Sequence, residues 1–337
     1  MVILRSQKLE VRIMKQLKIL SILFLMVGLT ACEKEIMYSD IEPEPLLVVN
    51  GIQHVGEPAR LYVEKSSYFT DEIEKDFRVK DVRADLYVNG VFKESLRVRD
   101  SIIWETYWIS DENGMGVEAE RPRYAFVYCE GNYILCEGDA LRFEVSSSEF
   151  EETAVAETTM PSMPNAISFD TVRITGNTDG YGGKTIYFSL VIDDPVGKDY
   201  YNLFPQEGLE GFVTTDPVFA DFMNVEHVED LFGGGNYYAN GPYNMFNDSY
   251  FDGKQYAVGI QMSIYTDVYI EPFVLEVSKV DYGLYQFKKS YASFITIEDG
   301  PMGLFTEPSQ VYSNVRNGVG VVCSQSLPVT FSINLGT

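Results

Sequence analysis

Residues 81–96 read DVRADLYVNGVFKESL. Successive side chains of an extended strand point to opposite faces. Val82, Ala84, Leu86 and Val88 therefore share one face, and Asp81, Arg83, Asp85 and Tyr87 share the other. Asn89-Gly90 follows at once, and this dipeptide accepts the positive φ angles that a tight hairpin turn requires. No other local signal in the chain constrains the fold as strongly. Similar short alternating runs are LLVVNG, ARLYVEK, SIIWETYWIS, RYAFVYC, ALRFEVSS and EETAVAETTMP. They recur at a spacing of about ten residues with turn formers between them, which predicts an antiparallel, immunoglobulin-like β-sandwich over 46–162.

Pro161 and Pro164 in MPSMPNA mark a boundary, and 163–337 reads as a second β-rich domain. Its strands are SFDTVRI, KTIYFSLVIDD, QYAVGIQMSIY, FVLEVSKV and LPVTFSI. Two short helices are expected there, which makes the chain all-β with minor α. One follows Asp216-Pro217, a cap and a first-turn proline, through VFADFMNVEHVEDLF. The other follows Ser278, with Val280, Leu284, Phe287, Tyr291 and Phe294 at helical spacing. Between them, FGGGNYYANGPYNMFNDSYFDG reads as a long aromatic loop.

The start of the chain has a different logic. Ile19 to Ala31 carries no charge, and Lys15 and Lys18 precede it. A bilayer-spanning helix needs about 20 apolar residues, so this run has the length of a signal-peptide core instead. It ends in Leu29-Thr30-Ala31-Cys32, which matches the bacterial lipobox. Residues 1–31 are accordingly expected to be a signal peptide, with Met14 as an alternative start, and Cys32 the lipidation site. Residues 32–45 then form a proline-containing acidic tether. More than one acyl chain on Cys32 gives stable membrane anchoring.

The chain carries a net charge of −24. Residues 1–31 hold five of its 26 basic and one of its 50 acidic residues, so the remainder carries 21 against 49, a net of −28. Such a polyanion repels nucleic acid, and no nucleic-acid partner is expected. With 45% hydrophobic residues, 23 Tyr and 21 Phe, a packed core is expected and disorder throughout is excluded.

Catalytic motifs are absent from the sequence. His54 and His227 are the only histidines, without metal-type neighbours. GYGGKT fails as a phosphate loop because the position of its first glycine is Thr178. Carboxylates in IDDPVGKD and NDSYFDGK nominate Asp193, Asp194, Asp248 and Asp252 as weak calcium ligands, although turn chemistry explains them better. Cys129 and Cys136 flank Glu130-Gly131-Asn132, a turn-like triplet, and are a candidate hairpin disulfide. Tyr237, Tyr238, Tyr243 and Tyr250 in the aromatic loop are candidate binding residues, since tyrosine brings much contact area at little rotamer cost.

The phrases DDPVGKDYYNLF, FNDSYFDGKQY, DYGLYQFKKSY and FTEPSQVYSNVRNGVGVV occur in that order behind the lipobox and LLVVNG. This order resembles the Bacteroidota lipoprotein family known as domain of unknown function 4249, over essentially the whole chain past Cys32. The most specific part runs from Glu307-Pro308 through Ser313-Asn314-Val315 to Gly318 and Gly320. The resemblance implies an outer-membrane lipoprotein, often encoded near a TonB-dependent receptor, and brings no catalytic residues or cofactor. Glu33-Lys34-Glu35 after Cys32 also resembles a surface-export signal. The expectation is a surface-facing, non-enzymatic binding accessory with a TonB-dependent receptor as partner. The alternatives are a structural or adhesive surface subunit and a carboxylate-dependent hydrolase.

Overall fold

The computed structural model describes residues 44–67, 76–110, 116–165, 167–176, 184–205, 212–213, 216–219, 245–264, 273–299 and 310–333. The chain runs through β1 (Leu47–His54), β2 (Pro58–Lys65), β3 (Arg83–Val88), β4 (Val91–Ser95), β5 (Arg97–Ser110) and β6 (Gly116–Ile134). Then come β7 (Ala140–Ser146), β8 (Ala154–Thr159), β9 (Ile167–Gly176), β10 (Lys184–Asp193), β11 (Tyr200–Pro205) and β12 (Phe212–Val213). A 3-10 turn (Pro217–Phe219), β13 (Met245–Asn247), β14 (Gln255–Ile264) and β15 (Phe273–Val280) lead to helix α1 (Tyr282–Asp299). β16 (Val315–Arg316), β17 (Val322–Gln325) and β18 (Val329–Ile333) follow it. The fold is all-β with minor α.

The Asn89-Gly90 hairpin forms as its sequence dictates. Both residues are left-handed, at φ 52° and 77°, and Val88 pairs with Val91. Ala84, Leu86 and Val88 are buried. They belong to a sheet ordered β16-β8-β7-β3-β4. Across from it stand Leu47 and Val49 of β1, Leu61 and Val63 of β2, and Val127 and Cys129 of β6, in one apolar cluster with Phe143, Val145 and Ala156. This is the expected antiparallel sandwich. Each fully buried aliphatic or aromatic side chain contributes about 1.5–3 kcal/mol.

The second wall of that sandwich is part of a larger sheet, ordered β13-β11-β15-β17-β1-β2-β6-β5, with β18 on β15. Strands from both ends of the chain meet in it: β1 pairs in parallel with β17, Gly51 opposite Val322. Two residues of the closing sequence motif make this junction possible. Gly320 has φ 119°, and a Cβ there would lie 2.3 Å from the Val49 carbonyl oxygen. Only glycine fits so close to a neighbouring strand. The Asn314 side-chain amide donates to the Val322 carbonyl at 2.7 Å, and its oxygen accepts the Val322 N–H at 2.9 Å. It stands in for a strand partner at the edge of β17.

A further sheet, β12-β14-β10-β9, supplies Ile186, Phe188, Leu190, Ile192, Val258 and Ile260 to a second core. Tyr201, Leu203, Leu275 and Val277 of the large sheet, with Phe246 and Phe251, complete it. Helix α1 packs Leu284, Tyr285 and Ala292 on Val321 and Cys323 in a third cluster. Residues 45–337 form one compact unit in which these cores are joined.

Three local expectations are corrected. Ser278 and Val280 lie in β15, and α1 starts later, capped by Asp281, whose Oδ1 accepts the Leu284 N–H at 2.8 Å. The strand wins because Leu275 and Val277 already alternate into the second core. Glu130-Gly131-Asn132 is no turn, since β6 runs through it. The extra residues are absorbed as a bulge opposite Pro58–Arg60. Glu94 holds that bulge, accepting the N–H groups of Asn132 and Tyr133, each at 2.7 Å. With no hairpin there, Cys129 and Cys136 are not bridged. Cys129 sits in the first core, where burial pushes its thiol up to about 12, and Cys136 is exposed. The expected helix after Asp216-Pro217 is described only as the 3-10 turn at Pro217–Phe219, and the rest lies outside the described residues.

Candidate functional site

Two turns meet at one end of the second core. One spans Asp194 to Asp199 between β10 and β11, and the other spans Asp248 to Lys254 between β13 and β14. Proline, glycine and aspartate in PVGKD and DSYFDG are turn formers, and here the carboxylates tie one turn to the other. Asp194 Oδ2 accepts the Gly253 N–H at 3.1 Å. Asp248 Oδ2 accepts the Asp199 N–H at 2.8 Å, and Asp252 Oδ1 accepts the Gly197 N–H at 2.8 Å.

The strands beneath supply the rest of the cluster. Tyr201 of β11 donates its hydroxyl to Asp194 Oδ1 at 2.5 Å. Lys279 of β15, only 3% exposed, reaches Asp199 Oδ2 at 2.5 Å and lies 5.6 Å from the centre of the Tyr201 ring. One oxygen from each of Asp194, Asp199 and Asp248 falls within 4.8 Å of the others. Burial raises the Asp248 carboxyl from 3.8 to about 6, helped by the neighbouring Asp194, Asp199 and Asp252, while its bond from Asp199 N–H acts the other way. Burial raises Asp194 as well, against the hydrogen bonds from Tyr201 and Gly253. The Tyr201 hydroxyl is driven upward by burial and by its bond to Asp194.

Chemically the cluster can store a proton at Asp248 or offer oxygens to a hard cation. The cation fit is poor. Calcium takes six to eight oxygens. Asp194 spends both of its oxygens on protein donors, and Asp199 and Asp248 spend one each. Lys279 already supplies a positive charge.

The sequence candidates thus divide. Asp194 and Asp248 come together, Asp252 serves the adjoining turn, and Asp193 is exposed and paired along β10 to Gln255. Asp199, Tyr201 and Lys279 were missed. Lys279 had a signal: it takes the next inward position after Leu275 and Val277, where a charge is out of pattern. Of the aromatic loop, Phe246 and Phe251 are buried in the second core and Tyr250 is 57% exposed. Tyr237, Tyr238, Tyr243 and Cys32 lie outside the described residues.

A second candidate is a surface. On the outer face of β2 and β6, Tyr62 stands opposite Tyr128, with ring centroids 5.5 Å apart. Phe126 lies 5.5 Å from Tyr62 and 5.6 Å from Tyr124. The Arg99 guanidinium of β5 sits 4.6 Å over the Tyr128 ring, and Arg60 bonds Glu130 at 3.2 Å beside it. Rings and guanidinium groups on a rigid sheet are the chemistry that dominates protein recognition surfaces.

No curated protein is matched by the chain. The model of the family described as Domain of unknown function (DUF4249) matches residues 33–326, from the residue after Cys32 to the residue after β17, and the chain belongs to that family.

Proposed function

We propose that this protein is a lipid-anchored, surface-facing outer-membrane accessory that binds a receptor or ligand without catalysis, with a TonB-dependent receptor as its partner. One observation carries the binding half: the Tyr62–Tyr128–Arg99 face is aromatic, partly exposed and built on strands rather than loops. Sites on strands hold their geometry better than sites on loops. The anchoring half rests on the signal-like run and Cys32.

The hydrolase alternative has its acid pair in Asp194 and Asp248, but not access. A general acid must reach the atom it protonates. Each of these residues is 4% exposed and bound into the turns.

The test is recovery of a partner from detergent-solubilised outer membranes by the tagged protein. Tyr62→Ser with Arg99→Ser should leave the melting temperature within a few degrees and abolish recovery of the receptor. Undiminished recovery by the double variant removes this face as the binding surface. Separately, Cys32→Ala should release a folded protein from membranes, and retention after a high-salt wash removes the anchor.

A further inference from the structure

β5 is the last strand of the large sheet, and among the described residues nothing pairs with its outer edge. Its inner edge pairs with β6 from Arg97 opposite Glu130 to Ser110 opposite Gly116, with a bulge between Ile103 and Trp104 at which β6 carries the extra residue, Arg123. β2 covers β6 only as far as Val127. Next to it Asp76 bridges to Ala125, and Phe77 donates its N–H to the Ala125 carbonyl at 2.9 Å. Beyond Ala125, among the described residues, β5 and β6 continue as a two-stranded ribbon. Such a ribbon is marginal in water without further strands.

The ribbon also exposes a run of apolar side chains on β5, with Thr106, Glu120 and Arg123 exposed nearby. Ile102 is 43%, Ile103 36% and Trp104 57% exposed. Both tryptophans of the chain, Trp104 and Trp108, lie on β5. The two edges differ in their protection. β6 carries Pro122, which cannot donate to a ladder, opposite Trp104. β5 has neither proline nor glycine from Arg97 to Ser110. The charges of β5, Arg97, Arg99, Asp100 and Glu105, flank an uncharged centre, Ser101 to Trp104. A long edge strand with such a centre and no proline is a template for another strand.

We propose that β5 pairs antiparallel with β5 of a second copy of this chain, forming a two-fold dimer with a continuous sheet. The sequence of the strand is self-complementary about Ile103. With Ile103 on the two-fold axis, Ile102 stands opposite Trp104 of the other copy, twice, and Asp100 falls opposite Thr106. No charged position meets one of its own sign. Aromatic and β-branched residues opposite one another are favourable cross-strand pairs, and like charges there would be unfavourable. The ribbon becomes four-stranded, β6-β5-β5-β6, which removes its marginal isolation. A two-fold contact of this kind closes on itself, so it yields a dimer and not a fibre. This proposal does not depend on the receptor-binding reading, because it uses the backbone edge of β5, and of the Tyr62–Tyr128–Arg99 face only Arg99 lies on that strand.

The test uses the full chain carrying Cys32→Ser, so that neither acyl chains nor detergent hold copies together. Its mass in solution should be that of a dimer at micromolar concentration. Tryptophan emission should shift to the red on dilution, with the same midpoint as the mass change. Ile103→Lys and Ile103→Glu, each alone, should be monomeric with unchanged far-ultraviolet dichroism, since each sets like charges against one another on the axis. Mixed in equal amounts, the two variants should recover the dimer, which a folding defect could not do. A monomeric parent chain, a dimeric Ile103→Lys protein, or a mixture that stays monomeric each overturns the proposal.

Discussion

The two main cores are built from the same alternation and are chemically different. In the first, β1, β2, β3, β6 and β7 present Leu47, Val49, Leu61, Val63, Leu86, Val127 and Phe143, all at most 1% exposed. The second begins in the same way, with Ile186, Leu190, Ile192, Leu203 and Leu275 at 0%. It then ends in Asp194, Asp248 and Lys279, each at most 4% exposed. A dry core gains from every residue it buries. A charged margin must offset desolvation through paired charges and hydrogen bonds, and leaving one partner alone is costly. The first core should therefore fail by cavities, and the second by loss of compensation.

The largest effect is expected at Lys279. Lys279→Met keeps the length of the side chain and removes the ammonium, leaving three carboxylates around one buried point. Loss of one partner of a buried pair costs about 3–5 kcal/mol. Chemical denaturation at pH 7 should show that loss, and part of it should return at pH 4, below the value of about 6 to which Asp248 is raised. For the comparison, Leu61→Ala in the first core should cost about 2–5 kcal/mol through its cavity, equally at both pH values. If Lys279→Met behaves like Leu61→Ala with respect to pH, the two cores do not differ as argued.

The same contrast explains what could be read in advance. The first sandwich was legible because its signals are local: alternation, Asn89-Gly90, and about ten residues per strand. The pairing of β1 with β17 was not, because Gly51 and Val322 are 271 residues apart and no local pattern encodes such a contact. Its trace was present in Gly318 and Gly320 of the closing motif, readable as close packing but not as packing against β1. The acidic cluster was half legible. Asp194 and Asp248 stood out as turn acids in two separate segments. Their meeting with Tyr201 and Lys279 depends on the registers of β11 and β15, which the sequence of neither strand fixes by itself. The helix was displaced for a related reason. Val280 suits both a helical stripe and an inward strand position, and the strand's tertiary partners decided it.

The smallest effect is the most specific. Asp248 has a folded pKa of about 6 against an ordinary value of 3.8. Below the lower value both the folded and unfolded states hold the proton, and the group has no influence. As pH rises from about 4 to 6, the unfolded chain releases its proton first, so unfolding becomes easier. Above 6 the penalty is constant, because the folded protein then carries a buried charge. Asp76 acts in the opposite sense: its hydrogen bond from Arg78 holds it down to about 2, so its stabilisation is lost only in strong acid. Asp248→Asn isolates the first contribution. The asparagine oxygen can still accept the Asp199 N–H, and no charge remains to be desolvated. The variant should exceed the parent chain by roughly 1 kcal/mol at pH 7, with the advantage shrinking through pH 6 to 4 and vanishing near pH 4. Denaturation midpoints across that range decide it. A variant less stable than the parent at pH 7 would mean that the Asp248 charge is favourable where it lies, held there by Lys279, and the second core's margin would then be compensated more fully than its burial suggests.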